Sequence, residues 1–61
     1  MTKHYQVTWK KNYFEDCTCY SEKEKNELVK TLLNDKYVTF VEVETCETEI
    51  LKHGGLVLTD D

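Results

Sequence analysis

The 61-residue chain has no alanine, arginine or proline and only two glycines. Arginine is the side chain that best reads phosphate and guanine through paired hydrogen bonds. Its absence, with eight lysines against twelve acids and a net charge of −4, argues against the clustered basic face that nucleic-acid binding requires. No apolar run is long enough to span a membrane, and Met1-Thr2-Lys3 leads into no signal-like segment, so membrane association is not expected. Cysteine is scarce and odd in number, at three. That argues against a disulfide framework and leads us to expect a reducing, cytoplasmic setting. The missing residues have GC-rich codons, whereas Lys, Glu, Asn, Thr and Tyr abound. The bias suggests an AT-rich genome, such as that of a low-GC bacterium or one of its phages or mobile elements.

Catalytic patterns are missing too. There is no G-x-S-x-G, no Walker sequence and no dinucleotide-binding glycine run. His4 falls on the polar face of a strand and His53 beside a glycine pair, so both read as solvated histidines rather than bases. We expect neither an enzyme nor a cofactor.

What is present describes a folded domain. Hydrophobic residues make up 39% and charged residues 33% of the chain, too apolar a balance for a disordered segment. Residues 1–61 form one domain. A domain of this size buries only roughly 60% of its unfolded surface. Without an assured staple, a second chain is the simplest way to enlarge the core, and a homodimer is expected.

The stretch HYQVTWK alternates Tyr5, Val7 and Trp9 with His4, Gln6, Thr8 and Lys10, the period of a half-buried strand over 4–11. Lys10-Lys11-Asn12 forms a turn, and YFEDCTCY a second strand pairing back on the first. Ser21 and Glu24 make the S-x-x-E pattern of a capping box, in which each side chain takes the other residue's backbone N–H. A helix therefore starts there. Leu28, Val29, Leu32 and Leu33 supply its apolar stripe, and it ends near Asn34-Asp35. KYVTFVEVET reads as a third strand.

Beyond it the acids change parity, with Glu42 and Glu44 even and Glu47 and Glu49 odd. A bulge or turn near Thr45-Cys46 would let all four face water. A tight hairpin would set like charges opposite each other, so a bulge or wider loop is expected. The runs TEILK and LVLT flank His53-Gly54-Gly55, which makes either a C-terminal hairpin or an arm that packs on another chain. The fold expected is α+β, in the order ββαβ with that hairpin or arm, the helix lying on one face of an antiparallel sheet.

Three groups of residues could act. Cys17, Cys19, Cys46 and His53 are ligand types for a small zinc-binding regulatory module. C-x-C in a strand, however, spreads its sulfurs about 6.7 Å along the chain, wider than a metal knuckle. Two small hydrophobes beneath the helix is the reading we prefer, and no metal is expected. Glu42, Glu44, Glu47 and Glu49 form an acidic row that is either a charged, aggregation-resistant edge or a binding face for a basic partner protein. The aromatic patch of Tyr13 and Phe14 is the alternative contact should binding prove insensitive to salt. Leu56, Val57 and Leu58, too apolar to hang in solvent, are the expected dimer interface. Together these features suggest a small acidic interaction protein, an inhibitor or modulator of a host protein.

Overall fold

The structure is a computed structural model that describes residues 4–45 and 47–58. Five strands and one helix follow in the order β1 (Tyr5–Lys10), β2 (Phe14–Cys19), α1 (Glu22–Asn34), β3 (Phe40–Glu44), β4 (Thr48–His53) and β5 (Leu56–Val57). All neighbouring strands are antiparallel, in the spatial order β2-β1-β3-β4-β5. This is the expected α+β fold, and the C-terminal segment is the hairpin rather than the arm.

The topology dictates where the core lies. β2 and β3 both pair with β1, on opposite sides, so the connection through α1 must cross over β1. Val7, at the centre of β1, is accordingly fully buried with Val41 of β3. Val29 and Leu32 of the helix close over them together with Val38, Val43 and Cys19. Tyr5, Trp9, Leu28, Leu33 and Leu51 pack around this cluster. At thirteen residues α1 is too short to persist alone in water. Burying its stripe on the sheet holds it.

Local chemistry sets the boundaries. The Ser21 hydroxyl accepts from the Glu24 N–H at 3.1 Å and starts the helix. Only half of the expected capping box forms, because the Glu24 carboxylate accepts from the Ser21 hydroxyl, at 3.3 Å, rather than from its backbone. At the other end Asp35 turns the chain: its carboxylate accepts from the Tyr37 N–H at 2.9 Å and its carbonyl from the Val38 N–H at 3.2 Å. This side-chain turn holds 35–38, so the third strand begins at Phe40 and not at Lys36 as its propensity suggested. Gly54 and Gly55 both have positive φ, 62° and 86°. A two-residue hairpin with that pair of angles follows the right-handed twist of its strands, and His53 faces Leu56 across it.

The bulge also falls elsewhere than expected. Lys52 pairs with Val41 and Ile50 with Glu42, leaving Leu51 as the extra residue of β4. Leu51 and Lys52 thereby both serve the helix side. Lys52 is only 3% exposed, and its ammonium donates to the Asp35 carbonyl at 2.9 Å. No basic residue lies in the last turn of α1. Lys52 and Lys11, the latter 3.4 Å from the Asp35 carboxylate, bring positive charge to the helix C-terminus from the sheet.

Candidate binding face

The helix covers one face of the sheet, and no described residue covers the other. Residues directly opposite in an antiparallel ladder share a face, so the register reads off the open side in rows. Phe14, Lys10, Phe40, His53 and Leu56 are successive cross-strand partners spanning all five strands. Asp16, Thr8, Glu42 and Ile50 form the next row, and Thr18, Gln6, Glu44 and Thr48 the third.

The first row is aromatic and structured. The Phe14 and Phe40 rings meet edge to face with centroids 6.0 Å apart, and Phe40 and His53 meet likewise at 6.2 Å. Such pairs favour this T-shaped arrangement because the positive ring edge faces the negative ring face. The Lys10 ammonium lies 5.3 Å from the Phe14 centroid. With Thr39 and Gly54 these residues line an open depression of about 350 Å³. Phe14 nonetheless remains 65% exposed and Leu56 71%. The third row is held by side-chain bonds from the Thr18 hydroxyl to Gln6 Oε1 at 2.7 Å and from the Thr48 hydroxyl to Glu44 Oε2 at 3.2 Å. The open face thus combines an apolar row with three carboxylates, Asp16, Glu42 and Glu44, against one ammonium.

The residues singled out in the sequence are distributed unevenly over this plan. Glu42 and Glu44 stand on the open face, two and four residues along β3 from Phe40, and Phe14 shares that face two strands away. Glu49 faces Val43 and so lies on the helix side, and Glu47 belongs to the connection between β3 and β4. The four glutamates are therefore not one row. The connection is the wider loop expected, with Glu44 opposite Thr48 rather than another acid. Glu47 and Glu49 instead line a polar hollow with Tyr5, Lys25 and Thr45, where the Lys25 ammonium sits 5.3 Å from the Tyr5 ring centre. Tyr13 is exposed in the turn after β1. Leu56, Val57 and Leu58 are all exposed at the sheet edge.

The sequence pattern did not single out Phe40, Lys10 and Asp16, and it named His53 only as a candidate metal ligand. The even parity of Lys10, Asp16 and Phe40 was the available signal. The partnership of Phe40 with His53 depends on the bulge at Leu51, which no local pattern marks.

The cysteines part company. Cys19 is buried beside the start of the helix, whereas Cys17 is exposed. The two were expected together beneath the helix, but α1 lies over β1, so on the edge strand β2 only the end nearest the helix is covered. Burial, and secondarily the neighbouring Cys17, pushes the Cys19 thiol above its usual pKa, which keeps it protonated. His53 stands on the open face three strand spacings from β2, about 14 Å. Cys17 and Cys19 point to the other side, so they cannot share a metal with it. Cys46 lies outside the described residues. Among those described, no group of three or more histidine, cysteine or acidic side chains could hold a metal ion, and no helix is long and apolar enough to cross a membrane.

No protein-family model, curated protein or solved structure matches the chain.

Proposed function

We propose that this is a small, non-enzymatic interaction protein that binds a basic partner protein through its open sheet face. The observation that carries the reading is the row of Phe14, Phe40, His53 and Leu56, covered by no described residue, with Asp16 and Glu42 in the next row and Glu44 in the one after. An exposed apolar patch rimmed by charge is the usual composition of a protein-binding surface. The sign of the rim selects the partner: three carboxylates against Lys10 favour a surface rich in lysine or arginine over a second copy of the same acidic face. Glu47 and Glu49, on the loop and the opposite side, contribute long-range attraction, while Tyr13 extends the aromatic contact at the β1–β2 turn. The AT-biased composition and short chain suit an inhibitor or modulator encoded by a phage or mobile element and acting on a host protein in the cytoplasm.

The test is capture from a lysate of a low-GC bacterium with matched variants. Wild type and a control carrying Glu22→Lys and Glu27→Lys, exposed on α1, should recover the same stoichiometric partner. Glu42→Lys with Glu44→Lys, the same change in charge on the open face, should lose it, and recovery should fall as salt rises. Equal capture by both double variants would refute the assignment.

A further inference from the structure

We propose that the chain pairs with a second copy of itself, β5 against β5, through Leu56, Val57 and Leu58. The two sheet edges differ in a way that points to this one. β2 carries Glu15 and Asp16, charges of the kind that discourage edge-to-edge pairing, whereas Leu56-Val57-Leu58 carries no charge. All three side chains are exposed, at 71%, 47% and 48%. The register is self-complementary. A two-fold axis through Val57, perpendicular to the sheet, sets Val57 opposite Val57 of the partner subunit and Leu56 opposite Leu58 of the partner subunit.

Faces match in that register. Val57 pairs with Lys52 and so lies on the helix side, while Leu56 pairs with His53 on the open side. Leu58, two residues on, shares the open side with Leu56. The aromatic row of each protomer therefore meets Leu58 of the partner subunit across the axis, offset by two residues from the other copy's row, and the two open faces join in one ten-stranded surface. Three residues per chain make an interface below the standard size of about 1,600 Å², so the dimer forms and dissociates with concentration. The pairing stands apart from what the open face binds and is tested without any partner protein.

The experiment uses single cysteines in a Cys17→Ser, Cys46→Ser background that retains the buried Cys19. Opposed residues in an antiparallel ladder have Cα atoms about 4.5–5.5 Å apart, within the disulfide range. Under mild oxidation Val57→Cys should cross-link to itself at least roughly tenfold faster than Leu56→Cys alone, and an equimolar mixture of Leu56→Cys and Leu58→Cys should cross-link heterologously. Equal rates at positions 56 and 57 would overturn the register. Sedimentation equilibrium of the unmodified chain should show the apparent mass rising from 7.3 kDa toward twice that value between about 10 μM and about 1 mM, the range of a weak interface. A mass constant at the monomer value throughout would overturn the dimer.

Discussion

Asp35 ties the end of the helix to the sheet by three contacts. Its carboxylate accepts from the Tyr37 N–H and faces Lys11, while its carbonyl receives the Lys52 ammonium. The Tyr37 hydrogen bond, with smaller help from Lys11 and Lys52, holds its carboxyl below the usual aspartate pKa. A group whose pKa is lower folded than unfolded stabilises the fold above the unfolded value, about 3.9 for aspartate, and loses that contribution as pH falls through the folded value. Asp35→Asn should therefore reduce stability near neutral pH and flatten the loss of stability below about pH 4. Thermal melts at stepped pH measure this, and an unchanged acid limb would mean that the turn does not depend on the ionised carboxylate. The helix end near Asn34-Asp35 was legible in the sequence, but the turn that Asp35 carries on through Val38 was not, because it overlaps the strand-favouring run that starts at Lys36.

At the level of elements, the first three strands and the helix were legible, since each rests on local periodicity, while the glycine pair left a hairpin and an arm both open. Ser21 is the clearest case. Its hydroxyl accepts the Glu24 N–H, and Ser21→Ala should cost about 1 kcal/mol. Chemical denaturation reads this directly, and an unmoved midpoint would place the start of the helix under other control. What local pattern could not supply was lateral order. That β1 lies between β2 and β3 follows only from the crossover of α1, and it decides that Cys19 is buried and Cys17 exposed. The bulge at Leu51 is likewise a long-range event: it lets Lys52 reach the helix end and turns His53 toward Phe40.

For the whole molecule, one consequence outweighs the rest. One short helix can cover only one side of a five-stranded sheet, so among the described residues nothing covers the row from Phe14 to Leu56 or the carboxylates on its face. The sequence showed two of those acids and one of those aromatics as candidates, but it distributed the glutamates along the chain rather than across a face. Binding at that face is the central claim, and amide chemical-shift mapping of the labelled chain with its captured partner tests it most directly. Lys10, Phe14, Asp16, Phe40, Glu42, Glu44 and His53 should shift or broaden on addition of the partner, while Lys23, Glu27 and Lys30 on the outer side of α1 should not. Perturbations concentrated on the helix, with the open face unmoved, would contradict it.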